Sequence, residues 1–472
     1  MKTKVYNFLD RNKRLLLILI LFMFILTVYN PVDPDGYWHI KVGEYIAKNG
    51  IPYKDMFSYW DTGFISQEWL FDIFIYSIYS IFGYIGIVIV KNLFVFASLL
   101  IAGNINKEKK CGFAYLIPLT FYAYKISCLI IRPQVVSLLL IVIELYILVN
   151  NKNKLYIPIL TLLCVNIHGG LCIILIFIYV LFTVIDLLER KTINWKQTII
   201  AFALILVSCV ITPYGYKNVL FGLIMPKIAT EAVTEYNAFV QVNFDMLFLV
   251  LALIPLACMA YTKNAKLIDI VMVCMGTCLV LRWVRFTILY TPICFGFGCS
   301  YMHDAVCKVK DEYFPNFKIK FKFKYVYPAV SFALIVVTIL SFSQITPFDE
   351  DESKFAPVII KDYIEENNLD VKNNIMFNEY SFGGYFIFNN IPVFIDGRCE
   401  PYLEEYGNIN VFPDYLDIMK VGDNVKELIE KYDIKYFAIY KDCRLERYLL
   451  EHNLATSLVN DDKYELLVWN GG

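Results

Sequence analysis

Residues 75–102 read IYSIYSIFGYIGIVIVKNLFVFASLLIA, and Lys91 is the one charged side chain among them. About 20 apolar residues in a helix cross the ~30 Å hydrocarbon core of a bilayer, so this run predicts a membrane-spanning helix. Similar runs lie near 15–29, 112–131, 134–149, 155–167, 170–188, 198–213, 246–261, 267–283, 286–302 and 326–344. The sequence therefore predicts a polytopic α-helical membrane protein with about eleven spans.

The composition agrees with this class. Of 472 residues, 58% are hydrophobic and 18% are charged, whereas soluble domains have about 45–50% and about 25%. This balance excludes a soluble enzyme, a disordered chain and a fibrous repeat. No basic stripe faces an aromatic-rich surface, so nucleic acid is not an expected partner, whereas membrane lipids are.

Charge divides the chain into two predicted domains. Residues 346–472 carry 25 acidic and 12 basic side chains, a net charge of −13, whereas the first 345 residues have a net charge of +12. We therefore predict a transmembrane domain over 1–345, with a long outer loop at 30–72, and a soluble domain over 346–472.

The tail pattern predicts a small α/β domain. Helical periodicity at 355–367 and 423–432 alternates with strand-like segments at 374–377, 392–395, 434–440 and 464–469, which is typical of a layered sheet flanked by helices. The thirteen cysteines show no CxxC or Cys/His metal spacing. Only Cys399 and Cys443 lie in this polar tail, and their pairing stays open.

Loop charges predict the orientation in the membrane. Five basic residues precede the first span, so the N-terminus is expected in the cytoplasm. Alternation of eleven spans then places every strongly basic loop inside and the acidic tail outside. We therefore expect a plasma-membrane protein with an extracytoplasmic C-terminal domain.

The outer loop carries the first candidate site. Residues 30–39 read NPVDPDGYWH, and the loop closes with Glu68 before the next span. Asp33 and Asp35 could share a divalent cation such as Mg²⁺ or Mn²⁺, or one could accept a proton from a hydroxyl. Alternatively, Asp35 only caps a helix that ends near Gly50. An acid at a membrane boundary is costly without a partner, which favours Glu68 as a site residue.

Further polar side chains lie at the ends of predicted spans, and the orientation places them on the same outer face as Asp33, Asp35, His39 and Glu68. They are Arg132, Gln134, His168, Tyr214, Lys217, Arg282 and Arg285. Arginines suit a phosphate or diphosphate, and His168 could donate to it or relay a proton. Taken singly, each has a structural alternative: an arginine can extend to lipid headgroups and a histidine can bond between helices.

Two tail motifs complete the candidate set. Residues 378–385 read NEYSFGGY, and Asp396-Gly-Arg398 follows a predicted strand. The carboxyl ends of strands are where α/β sheets place ligand contacts. The alternative is a turn braced by a local ion pair between Asp396 and Arg398.

As a set, these strings resemble the GT-C superfamily of integral-membrane glycosyltransferases, in particular bacterial proteins similar to dolichyl-phosphate-mannose and oligosaccharyl transferases. The matching features are DPD at 33–35, Glu68-Trp69, RPQ at 132–134, NIHGG at 166–170 and PYG at 213–215, together with the tail motifs. The likeness extends over nearly the whole chain, although each string is short.

The resemblance implies an inverting transfer of a sugar from a polyprenyl-phosphate donor to a glycan or protein acceptor at the outer face. The role of general base or metal ligand then carries over to Asp33 or Asp35. The sequence departs from the family in lacking a second clear acidic motif in its later outer loops, which leaves a catalytically silent relative open.

Two other classes compete: a transporter or flippase for a lipid-linked glycan, and a non-catalytic envelope-assembly protein. Transporters place polar residues near the bilayer midplane with paired repeats, and neither feature is visible.

Overall fold

The computed structural model describes residues 34–105, 114, 132–220, 246–283, 286–315, 356–404, 409 and 411–471. The chain divides into two compact units. The helical unit comprises Met1–Asn30 and Val88–Ile345, and the loop–tail unit comprises Pro31–Ile87 and Thr346–Gly472. The outer loop, which the sequence assigns to the membrane domain, thus belongs to the same unit as the tail.

Two helices frame the outer loop. Helix α1, Pro34–Asn49, ends at Gly50, whose φ of +86° allows the chain to leave the helix. Helix α2, Trp69–Ala102, is interrupted at Gly83, which has a φ of +62°. Its first half lies in the loop–tail unit and its second half in the helical unit.

Helices follow the apolar runs of the helical unit closely. They are α3 Gln134–Val149, α4 Ile157–Ile167, α5 Cys172–Leu188, α6 Trp195–Ser208, α7 Met246–Thr262, α8 Leu267–Arg282, α9 Thr287–Ile293 and α10 Cys299–Tyr313. A π-helical turn, Cys294–Gly298, joins the last two. Their buried leucine, isoleucine and valine side chains form one core cluster.

Membrane crossing is supported for part of this set. Among the described residues, two helices are long and apolar enough to cross a bilayer, namely Trp69–Ala102 and Gly169–Leu188, the latter counted with a 3₁₀ turn. The predicted runs at 15–29, 112–131 and 326–344 lie outside the described segments, apart from residue 114. The number of eleven spans therefore stays a prediction.

The tail forms a small sheet with helices around it. The elements are α11 Val358–Glu366, β1 Ile375–Asn378, α12 Gly383–Phe388, α13 Val411–Lys420, α14 Val425–Lys431, β2 Ile434–Tyr440, α15 Arg444–Glu451, β3 Ala455–Asn460 and β4 Tyr464–Trp469. The strand order is β1-β2-β4-β3. Strands β1 and β2 are parallel, whereas β4 is antiparallel to both of its neighbours.

One predicted strand is wrong. Residues 392–395 form no strand of the sheet, because their backbone pairs with the outer loop instead. Val393 N donates to Phe57 O at 3.1 Å, and Val393 O accepts from Tyr59 N at 3.2 Å. This apolar stretch is therefore buried by the loop. Cys399 and Cys443 are both free thiols.

Candidate functional site

The acid at the start of the outer loop belongs to the first turn of α1. The helix begins at Pro34, so Asp35 lies inside it rather than at a cap position. Carboxylates in a first turn interact favourably with the helix dipole. The side chain of Trp38 donates from Nε1 to Asp35 Oδ1 at 3.1 Å. The carboxylate is thus oriented within its own helix and is only partly buried.

Two glycines let the tail approach this helical turn closely. A Cβ at Gly397 would clash with the carboxylate of Asp35, and a Cβ at Gly384 would clash with the carbonyl oxygen of Pro34. Only glycine leaves room for contacts this close. The two tail motifs therefore lie directly against the acidic start of the loop.

Glu68 begins a chain of polar contacts that runs into the protein. Its Oε2 lies 3.6 Å from His39 Nε2, and the other ring nitrogen of His39, Nδ1, lies 2.6 Å from Asp72 Oδ1. Ser66 donates to the second oxygen of Asp72 at 2.8 Å. His39 and Asp72 are buried, whereas the Glu68 side chain keeps 14% exposure. Glu68 is thus the most exposed of these four side chains.

A second group of charges connects loop and tail. Arg398 donates from Nε to Asp396 Oδ1 at 2.8 Å and from Nη1 to Asp55 Oδ1 at 2.5 Å. Tyr402 donates to the remaining oxygen of Asp396. All three charged side chains are buried. Burial opposes ionisation of Asp55, but the Arg398 guanidinium outweighs it and holds the pKa of Asp55 below its usual value.

This arrangement favours the structural alternative for Asp396 and Arg398. Their charges are balanced inside the protein and the aromatic rings of Phe57 and Phe64 lie beside the guanidinium. We therefore regard this pair as a brace for the loop rather than as a contact for substrate.

Besides Glu68 and Asp72, a third carboxyl group comes from the tail, namely that of Glu400. It is buried, and burial together with repulsion from the Glu68 carboxylate raises its pKa well above the usual value. Glu400 is therefore expected to be neutral at neutral pH.

In the helical unit, four of the predicted motifs meet at one end. Ser137 Oγ lies 3.4 Å from His168 Nδ1. Asn166 donates to Ile211 O at 3.0 Å, and Asn218 donates to Val165 O at 2.7 Å. The segments around 132–137, 165–170 and 211–218 are thereby neighbours, and a shared groove adds the fourth segment, around 286.

That groove is lined mainly by apolar side chains, with Gln134 as its polar member. The lining residues are Gln134, Leu138, Ile141, Leu171, Ile174, Phe286, Ile288 and Leu289. Its apolar walls suit a hydrocarbon chain.

The remaining predicted residues differ in exposure. Lys217 and Arg282 are exposed, Arg132 is partly buried, and Tyr214 is buried. The Arg282 guanidinium lies 4.8 Å from the centre of the Trp283 ring. Asp33 and Arg285 fall outside the described residues. The described part of the chain contains no group of three or more His, Cys, Asp or Glu side chains that could hold a metal. Because Asp33 lies outside that part, the divalent cation at Asp33 and Asp35 stays a prediction.

Sequence reasoning missed Asp72, Glu400 and Asp55 as members of these clusters. Asp72 had a detectable signal, since it is an acid one helical turn after Glu68 at the start of an apolar helix, where an unpaired charge would be costly. Glu400 and Asp55 had none, because their partners come from distant parts of the chain.

The comparisons with known proteins identify a structural neighbour. The chain superimposes on the oligosaccharyltransferase of Archaeoglobus fulgidus in its apo form with a TM-score of 0.55 and 13% identity, over 90% of this chain and 69% of that one. The fold is therefore similar to that of an oligosaccharyltransferase. No family model matches the sequence, and no curated protein matches it.

Proposed function

We propose that the chain is a membrane glycosyltransferase that moves a sugar from a polyprenyl-phosphate donor to an acceptor hydroxyl or amide at the outer face, with inversion at the sugar carbon. The fold likeness to an oligosaccharyltransferase supports the class. The single observation that carries the proposal is the partly exposed Glu68, held against the buried pair of His39 and Asp72.

Glu68 is the candidate that we favour as general base. A base must reach the proton that it removes while its own orientation is fixed. Glu68 meets both demands, because its carboxylate is accessible on one side and faces His39 on the other. Asp35 is the second candidate, since its carboxylate also lies in the loop and is oriented by Trp38. Asp33 remains a third.

Donor binding is assigned to the helical unit. We propose that the apolar groove beside α3 contacts part of the polyprenyl chain. Gln134 lines this groove, and Arg132 precedes α3 by two residues. We propose that these two side chains meet the phosphate, together with the exposed Lys217 and Arg282. In the reaction the bond from the sugar carbon to the phosphate oxygen breaks, and fixed cations stabilise the charge that develops on the leaving phosphate.

The direct test is turnover by the full chain in detergent or nanodiscs. Polyprenyl-phosphate glucose, mannose and galactose serve as donor probes, and release of polyprenyl phosphate is the readout. Mass spectrometry of lipid-linked sugars and envelope glycans, in cells with and without the protein, selects the sugar. We expect Glu68→Gln to lower turnover by about 10²–10⁴-fold, as for loss of a general base.

Glu44→Gln is the matched control. Glu44 is also a glutamate of the loop region, but it pairs with Lys41 and Lys48 on α1 and takes no part in the Glu68 cluster. It should retain turnover. Full transfer by correctly folded Glu68→Gln would reject Glu68 as the base. Wild-type protein that binds but never transfers would instead favour a transporter or an assembly factor.

A further inference from the structure

Two connections between helices meet at one end of the helical unit, and together they form what we call the basic corner, residues 150–156 and 189–197. The first connection leads from α3 to α4 through a 3₁₀ turn, and the second leads from α5 to α6. Gln197 Nε2 donates to Asn153 Oδ1 at 2.6 Å and so joins them. Asn194 caps α6 by accepting from Gln197 N at 3.2 Å. Both connections are therefore held in place by polar side chains of the corner itself.

The basic corner carries more cations than the nearby acids neutralise. Residues 150–200 contain five basic and two acidic side chains. Both acids, Asp186 and Glu189, pair with Lys191, at 3.0 and 2.6 Å. The other four cations have no ion-pair partner in the described part of the chain, and all but one of them are exposed. They are Lys152, Lys154, Arg190 and Lys196, of which Lys154 is half-buried.

Large aromatic and apolar side chains lie in the same segments and are open to the surroundings. Tyr156 is 58% exposed and Trp195 is 49% exposed. Leu188 and Ile199, in the adjoining turns of α5 and α6, are also exposed. Tyr and Trp rings prefer the boundary between lipid headgroups and hydrocarbon, and lysines at the ends of spanning helices extend to the headgroups there. The corner thus has the composition of a surface that meets lipid at the membrane–water boundary.

We propose that the basic corner binds the headgroups of anionic phospholipids. Lys152, Lys154 and Lys196 contact the lipid phosphate, while Tyr156 and Trp195 lie at the edge of the hydrocarbon. Charge complementarity carries the choice of partner, because cations near an anionic membrane surface attract it, and here no carboxylate competes for them. A lysine near such a surface strengthens binding by about fivefold.

This inference is independent of the proposed transfer reaction. The corner precedes the first residue of α4, whereas His168 follows the last one, so the two lie at opposite ends of that helix. The alternative is that these cations only orient the chain during membrane insertion. That role requires no preference for one lipid headgroup over another, and the two explanations therefore predict different results.

Quenching of Trp195 fluorescence by brominated lipids measures which headgroup lies beside the corner. The full chain is reconstituted in vesicles that contain equal amounts of phosphatidylglycerol and phosphatidylcholine with identical acyl chains, brominated on one lipid or on the other. The difference between wild type and Trp195→Phe isolates the signal of Trp195 among the six tryptophans. We expect phosphatidylglycerol to be preferred by about fivefold or more, the effect of at least one lysine. Equal quenching by the two lipids would overturn the inference.

Paired substitutions locate the preference on the chain. Lys152→Gln/Lys196→Gln removes one exposed cation from each connection and should abolish most of the preference. Lys263→Gln/Lys266→Gln is the matched control, since these two lysines are also exposed, in the loop between α7 and α8, and it should keep the preference. Substitutions at such exposed positions leave folding nearly unchanged. An equal loss in both double variants would indicate a general effect of the net charge of the protein and contradict the proposal.

A competition experiment distinguishes a lipid headgroup from a soluble ligand. Inorganic phosphate and sodium chloride are added to the same vesicles at equal ionic strength. Both salts screen exposed charges to the same extent, so we expect them to reduce the phosphatidylglycerol preference equally. If phosphate abolishes the preference where chloride does not, the corner is a site for soluble phosphate, and the assignment to lipid is wrong.

Discussion

The two units of this protein use polar side chains in different ways. In the loop–tail unit, charged groups are buried against each other, as in the contacts of Arg398 with Asp55 and Asp396. In the helical unit, Lys217 and Arg282 of the predicted site are exposed and Arg132 is partly buried. The core of this unit is mainly leucine, isoleucine and valine, although Lys91, Glu144 and Asp269 are also buried. Among the residues of the predicted site, Asp396 and Arg398 are thus paired in the interior of one unit, whereas Lys217 and Arg282 of the other unit are accessible.

This difference separates residues that hold the fold from residues that could act. A buried ion pair is costly to break because removal of one partner leaves an uncompensated charge. An exposed lysine or arginine contributes little to stability. Replacing a cation by methionine should thus lower the free energy of unfolding strongly in the loop–tail unit and hardly at all at an exposed position of the helical unit.

The largest effect is expected for Arg398→Met. This change leaves the carboxylates of Asp55 and Asp396 buried without their cation, at a cost of about 3–5 kcal/mol. Thermal unfolding of the full chain, together with protease cleavage in the outer loop, measures the loss.

Lys217→Met is the matched substitution in the helical unit. Because Lys217 is exposed, the unfolding midpoint should stay within about 1 °C of the wild type, corresponding to well under 0.5 kcal/mol. Equal destabilisation by the two variants would remove the distinction between the units.

A smaller effect is expected where the tail touches the start of α1. Gly384→Ala places a Cβ against the carbonyl oxygen of Pro34, and overpacking of this kind costs about 1–3 kcal/mol. Gly36→Ala provides the control, since a Cβ there has no neighbour within 4 Å and alanine favours a helix. Unfolding measurements should show loss for the first and none for the second; a tolerated Gly384→Ala would mean that the contact is not tightly packed.

The smallest effect concerns Glu379, which follows β1. Burial raises its pKa to about 7, so the folded state binds a proton that the unfolded state has lost between about pH 4.5 and 7. The resulting stability is fully present below about pH 4.5 and is lost as the pH rises from there to about 7. Glu379→Gln removes this decline and should stabilise the chain by about 1–2 kcal/mol at pH 8 relative to pH 5.

Unfolding midpoints of wild type and variant across pH 5–8 test this. Glu366→Gln on the exposed face of α11 serves as control. Parallel curves for wild type and Glu379→Gln would contradict the expected protonation of Glu379.

Sequence alone predicted much of the local structure. The helix at 134–149 and the strands at 434–440 and 464–469 have the predicted bounds, because continuous apolar runs carry a strong signal. Strand β3 was missed, since ATSLVN is half polar and lies at the sheet edge. The strand predicted at 392–395 was wrong, because an apolar stretch does not reveal which part of the chain buries it.

The site was predictable only in part. Proximity of Glu68 and His39 in one loop was expected from the sequence, and the structure brings their side chains together. The association of this loop with the tail was not expected from the sequence. Its hydrogen bonds join distant residues: Trp60 Nε1 donates to Phe394 O at 2.9 Å across 334 positions. Periodicity carries no information about contacts of that range.

The discontinuity of the loop–tail unit has a consequence for biosynthesis. Asp55 and Arg398 are separated by 343 residues, and at about 5–20 residues per second the ribosome needs about 17–70 s to add the later one. Throughout that interval Asp55 of the nascent chain lacks its partner Arg398, and the aromatic residues of the loop are not yet covered by the tail. Synthesis of the tail, rather than insertion of the first helices, is then the event that completes the structure of the outer loop.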